Sequence, residues 1–168
     1  MTISMHSASA PIFVKMLTNV LTWLDKAEAH AAARKFDSVN YLGLRLAPDM
    51  LPFSKQIQIG SDTVKACMAR LSNQEAPKWE DNEATMAELR ARMQKTIDYV
   101  KSFNAAQIDG SEERTISVPR RTSEPLLFAG EAYLKHYVLP NLFFHVTTAY
   151  ALLRHAGVEL GKGDYLGR

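Results

Sequence analysis

Pro140-Asn141-Leu142-Phe143-Phe144-His145-Val146-Thr147-Thr148-Ala149-Tyr150 is the run whose reading decides the fold. Pro140 opens it and suits a first helical turn, where its missing N–H costs nothing. Leu152 and Leu153 extend it to His155, and Gly157 stops it. The apolar side chains do not keep to one stripe: Leu142, Phe143, Phe144, Val146, Tyr150, Leu152 and Leu153 go most of the way round. A helix apolar on more than one face is covered on several sides. It is either the central helix of its domain or one that also meets a second copy of the chain.

Three further segments have helical periodicity. Pro11 to Lys35 repeats Ile12, Phe13, Met16, Val20, Leu24, Ala27 and Ala31 at helical spacing. A second helix is expected from about Asp49 to Ser72, capped by Asp49, with Pro52 in its first turn. Phe53, Ile57, Gly60, Val64, Cys67, Met68 and Leu71 share one face of it, leaving Gln58, Asp62 and Lys65 on the solvated side. Gly60 within the apolar face predicts close approach of another helix. A third helix is expected from Asp81, as N-cap, to about Phe103, with Met86, Leu89, Met93, Ile97 and Val100 as its seam. Between the third and last helices, Thr115–Val118 and Leu126–Phe128 have the pattern of a small β-hairpin, and Gly130 to Tyr137 reads as a helical lead-in. Four long amphipathic segments with moderate loops make an all-α, four-helix-bundle reading, one domain over residues 1–168 with residues 1–9 flexible.

Composition removes several classes of function. The chain has 168 residues, 46% hydrophobic and 23% charged, with a formal net charge of +2 and a pI of about 8.7. The basic residues are scattered, with one tight pair at Arg120-Arg121, so no nucleic-acid-binding face is expected. Cys67 stands alone, which excludes an intramolecular disulfide and a cysteine zinc site, and its apolar neighbours read as core. Met1 to Pro11 lacks a basic, apolar leader, and no apolar run nears the roughly 20 residues of a membrane span. A cytoplasmic chain is expected. No nucleophile elbow, phosphate loop, dinucleotide fingerprint or zinc-protease motif is present.

Four stretches carry a family resemblance: Arg45–Met50, Gln56–Asp62, Pro140–Tyr150 and Gly161–Tyr165. Together they resemble a branch of domains of unknown function, found in bacteria and fungi, grouped with the DinB/YfiT-like metalloenzymes. The resemblance covers nearly the whole chain. It implies a DinB-like four-helix bundle, often dimeric, with a divalent-metal site inside. Metal-holding members use one histidine on the second helix and two at i, i+4 on the last. The matching positions here are Gln56, Asn141 and His145, so amides stand at two of the three. Amides are weak neutral donors and poor ligands for zinc or nickel.

The candidate ligand pocket is therefore Gln56, Asn141 and His145, joined by Tyr150 and Arg154 one helical turn apart. His145 reads as a sole surviving metal ligand, as a general base, or as a bundle histidine bonded to an amide. Arg154 beside Tyr150 offers a donor fork to a carboxylate or phosphate, or is a surface arginine beside a packed ring. His30 completes a site or answers the helix dipole. Arg45 and Asp49 pair across the loop or hold it and cap the second helix, Lys162 and Asp164 clasp the tail to a neighbour, and Tyr133, Trp23 and Trp79 line a cavity or pack as core or interface. Two functions follow: a dimeric, non-catalytic bundle binding a small molecule at an amide–histidine pocket, or a metal-dependent enzyme such as a thiol-cofactor-dependent transferase. The sequence leaves open whether the chain is an enzyme.

Overall fold

The computed structural model describes residues 3–120 and 122–168, so Arg121 of the basic pair lies outside the described residues. The fold is mostly helical. Its long helices are α1 (Ala10–Arg34), α2 (Phe53–Leu71), α3 (Met86–Lys101) and α6 (Leu139–His155). Short helices α4 (Ala105–Ile108), α5 (Gly130–Tyr133) and α7 (Lys162–Leu166) lie between and after them. Strands β1 (Thr115–Val118) and β2 (Leu126–Ala129) pair antiparallel, with Ile116 opposite Phe128. The expected hairpin is thus present, and it sits between the third and last long helices.

Each long helix buries the stripe its periodicity announces. Phe13, Leu17, Val20, Trp23 and Leu24 of α1 meet Leu89, Met93, Ile97 and Val100 of α3 in one core. Helix α2 lies between α3 and α6, and Phe53, Val64, Cys67 and Met68 are fully buried there. Burying a large apolar side chain is worth about 1.5–3 kcal/mol, so this shared core is the main source of stability. Burial also pushes the Cys67 thiol well above its ordinary range, Arg70 opposing, which fits a core role and not a nucleophile.

Two helix starts differ from expectation. Helix α2 begins at Phe53, with Pro52 extended at the cap position (ψ 167) and Asp49 exposed outside it. A proline disfavours helical backbone in the residue before it, so Leu51-Pro52 blocks an earlier start. Helix α3 begins at Met86, where Thr85 and Glu88 form a reciprocal capping box. Asp81 is drawn away from capping by Lys55 and Arg92. The Arg45–Asp49 pair is also absent, since Arg45 donates to the Met50 carbonyl.

The first and last described segments both contact the helices. Residues 5–9 form turns in which Met5 and Ser9 are buried and the His6 amide donates to Asp109 at 2.7 Å. The polar tail forms α7 and docks on α1. There Tyr165 stacks on Trp23 at 5.7 Å, Asn19 donates to the Tyr165 carbonyl, and Lys26 pairs with Asp164 at 2.6 Å.

A continuous helical run links Gly130 to His155, broken in regularity by a π-helical turn at Leu134–Val138. Pro140 supplies the reason. It has no N–H for the His136 carbonyl, and its ring crowds that carbonyl, so the preceding turn opens wider. The run starts where Gly130 presses on the chain: a Cβ there would lie 2.0 Å from the Ser111 carbonyl oxygen. Gly60, by contrast, has ordinary room: a Cβ there would stand 3.9 Å from His145 and 4.0 Å from Leu142. The two glycines predict opposite outcomes in urea denaturation. Gly130→Ala should lose on the order of 3 kcal/mol through backbone overlap. Gly60→Ala should gain about 0.5–1 kcal/mol through helix propensity.

Candidate functional site

Helices α2 and α6 run antiparallel, joined by polar contacts as well as apolar packing. Near the start of α2, Gln56 faces His145, with Oε1 and Nδ1 2.7 Å apart. One turn earlier on α6, Asn141 donates to Thr63 Oγ1 at 2.9 Å. At the far end of α2, Arg70 donates to the Tyr133 hydroxyl at 2.8 Å and lies over its ring. The sequence placed Gln56, Asn141 and His145 in one cluster. The structure joins Gln56 to His145 and gives Asn141 a separate partner.

The Gln56–His145 pair fixes a tautomer. Gln56 donates its amide to the Leu51 carbonyl at 2.9 Å, so its oxygen must be the atom facing the imidazole. Nδ1 therefore carries the proton, and Nε2 keeps its lone pair. Burial holds the His145 pKa below its ordinary value, which keeps the ring neutral near pH 7. A transition metal would find one free imidazole nitrogen, Nε2 of His145, beside a Gln56 oxygen already bonded to Nδ1 and an Asn141 amide already turned to Thr63. That donor set does not fit zinc or nickel. Among the described residues, no three His, Cys, Asp or Glu side chains come together as a ligand set.

Beside Asn141 the helices open into a cleft of about 250 Å³. Asp62, Thr63 and Arg70 line it from α2, with Tyr137 of the π turn and Asn141 opposite. π turns recur at functional sites. Here the turn carries Tyr137, stacked on Tyr133 at 5.8 Å, to the cleft wall.

Tyr150 and Arg154 lie elsewhere. Tyr150 packs edge-on against Trp23 at 5.5 Å and against Tyr165, inside the aromatic group that seats the tail. Arg154 is exposed. His30 accepts or donates a 2.6 Å hydrogen bond with buried Tyr41, between α1 and the loop that follows it. Trp23, Tyr133 and Trp79 are in three different places and share no cavity; Trp79 lies on the 72–85 connection with Lys65 and Lys95 over its ring.

A further polar cluster, around Arg92, lies outside the residues singled out from the sequence. Arg92 of α3 is 4% exposed. Its Nη2 is 3.0 Å from both Asp62 and Asp81, off the hydrogen-bonding direction, while Nη1 bonds Glu83 at 2.9 Å and the Glu80 carbonyl. Burial alone would lower its pKa, but Glu83, Asp62 and Asp81 outweigh that and hold the guanidinium charged. This cluster corrects the placement of Gln58 and Lys65 on a solvated face. Both are buried, because the 72–85 connection crosses over them: Gln58 donates to Glu83, and Lys65 pairs with Asp62 at 2.6 Å. The available signal was Arg92 itself, an arginine at the edge of an apolar seam, near three acids gathered at residues 80–83.

Similarity to known proteins follows the same outline. Residues 5–166 match the family described as "Domain of unknown function (DUF1993)". The crystal structure of a DinB family member protein from Shewanella denitrificans is 40% identical, with a TM-score of 0.87, covering 97% of this chain and 92% of that one. No curated protein matches the chain.

Two measurements probe these clusters. Replacing Arg92 by Met leaves three carboxylates facing one another, and chemical denaturation should show a loss of about 3 kcal/mol. For His145, unfolding restores the ordinary pKa of about 6.5, so below that pH the unfolded chain binds a proton the folded chain resists. Stability should fall as pH drops from about 6.5 toward the lower folded value, and His145→Gln should flatten that part of the profile.

Proposed function

The chain belongs to the DUF1993 family of domains of unknown function, structurally of the DinB kind, and on that premise we propose that it is a four-helix-bundle protein that binds a small polar molecule without metal chemistry. The site of this reading is the α2–α6 face: the cleft of Asp62, Thr63, Arg70, Tyr137 and Asn141, with the Gln56–His145 pair beyond it. One observation carries it. His145 is held at 2.7 Å by a glutamine that is itself tied to the Leu51 backbone. The amides at the two other positions of the metal-holding relatives thus supply hydrogen bonds where those relatives supply ligands.

In this reading Arg70 and the Asn141 carboxamide hold the ligand, and neutral His145 orients the α6 side of the face. The protein acts as a homodimer. Phe143 and Phe144 of α6, 37% and 54% exposed, support that part, since two adjacent exposed aromatics make an apolar patch suited to a partner. Among the described residues no helix is long and apolar enough to cross a membrane.

The competing reading, a metal-dependent enzyme such as a thiol-cofactor-dependent transferase, requires ligands that this donor set lacks. Elemental analysis of protein purified without chelator separates the two. The expected result is no stoichiometric transition metal, with sedimentation showing a dimer that Phe144→Asp dissociates. One bound metal per chain, lost in His145→Ala, would overturn the ligand-binding reading.

A further inference from the structure

We propose a second binding site, for a phosphate group, where the end of α2 meets the outer face of β1. A pocket of about 260 Å³ lies there, distinct from the α2–α6 cleft although Arg70 borders both. Its polar walls are Arg70, Asn73, Gln74, Arg114, Thr115 and Ser117, with no carboxylate among the residues lining it. Several cations at helix contacts are paired with acids: Lys26 with Asp164, Arg90 with Asp25 and Glu28, Arg92 with three carboxylates. Here two guanidinium groups share one small pocket, and neither has an acidic partner among the described residues.

Both arginines are fixed by one nitrogen and leave the rest of the fork free. Arg70 uses Nη1 on the Tyr133 hydroxyl, and its plane lies over that buried ring. Arg114 uses Nη1 on the carbonyl of Leu71, which closes α2. Each guanidinium carries five N–H donors, so most remain for a ligand. Pre-placed forks are what bidentate oxyanion recognition needs. The other walls add donors of modest strength. Asn73 stands in the left-handed region (φ 57) just past the helix, with Gln74 beside it. Thr115 and Ser117 share the exposed face of β1, because alternate residues of a strand point the same way.

The donor count selects the ligand. A carboxylate is satisfied by one fork. Two forks, two amides and two hydroxyls suit a tetrahedral oxyanion with three or more acceptor oxygens, and two positive charges suit the roughly −1.5 to −2 of a phosphate monoester at neutral pH. Free phosphate and a small phosphate ester share this chemistry.

Nuclear magnetic resonance titration of the intact protein tests the site, with inorganic phosphate, glycerol phosphate and acetate as separate probes. Saturable shifts in the amides of Asn73, Gln74 and Arg114–Ser117 are expected with phosphate, weakening as salt rises. Tighter binding of glycerol phosphate would identify an ester as the ligand; equal binding would identify the free ion. Ser117→Asp places a carboxylate at an exposed strand position and should weaken phosphate at least about tenfold with the fold intact. Arg114→Lys, which keeps a donor for Leu71 but loses the fork, should do the same. No saturable shift, acetate binding as well as phosphate, or unchanged affinity in Ser117→Asp would overturn the proposal. Resonances of Tyr137 and Asn141 report on the α2–α6 cleft separately, so failure of one site is not failure of the other.

Discussion

Helix α2 is covered on two sides but apolar along only one stripe, and the rest of the structure answers that mismatch. Buried polar groups must find partners, at a cost of about 1–3 kcal/mol for each one left alone. On the flank toward α3 the partner is Arg92, which gathers Ser61, Asp62 and the acids of the 72–85 connection. On the flank toward α6 the partners are His145, Asn141 and Tyr133, each taking one α2 side chain. Both arrangements fix the position of α2 by hydrogen-bond geometry, which apolar contact alone does less sharply.

The same mismatch explains what the sequence disclosed. Helical periodicity located the long helices and the breadth of the apolar surface on the last one, because side-chain spacing depends only on local geometry. Alternation located the hairpin. Helices α2 and α3 start later than Asp49 and Asp81, which resemble caps in isolation; Pro52 and the Thr85–Glu88 pair set where the helices begin. A helical wheel put Gln58 and Lys65 in water because it shows one helix without its neighbours. It cannot show an irregular connection lying over that face. The 72–85 segment has no periodicity of its own, and what holds it is charge pairing across distant positions.

Legibility of the site was divided in the same way. Family likeness brought Gln56, Asn141 and His145 forward, and the first and last do meet. Asn141 goes to Thr63 instead, because a spacing of four on α6 advances about 6 Å and so reaches a different part of α2. Tyr150 and Arg154 were grouped with them by sequence nearness. Yet Tyr150 turns toward α1 and the tail, since three successive turns of a helix with apolar residues nearly all round need not face one neighbour. Arg70 and Arg114 were invisible as a pair, being 44 positions apart and joined only by the fold.

The wide turn at Leu134–Val138 has a consequence for how this architecture varies. It stores one residue beyond what a regular helix would use between the hairpin and α6. A turn that closes from i to i+5 takes up its extra residue within itself, so deleting one there would restore regular winding and leave Gly130, its tight seat on Ser111 and the hairpin near their present rotation about the axis. Pro140 keeps that slack in place. The hairpin end and the α6 end can thus drift in sequence independently, with the wide turn serving as a phase adjuster between two registers that must both be kept.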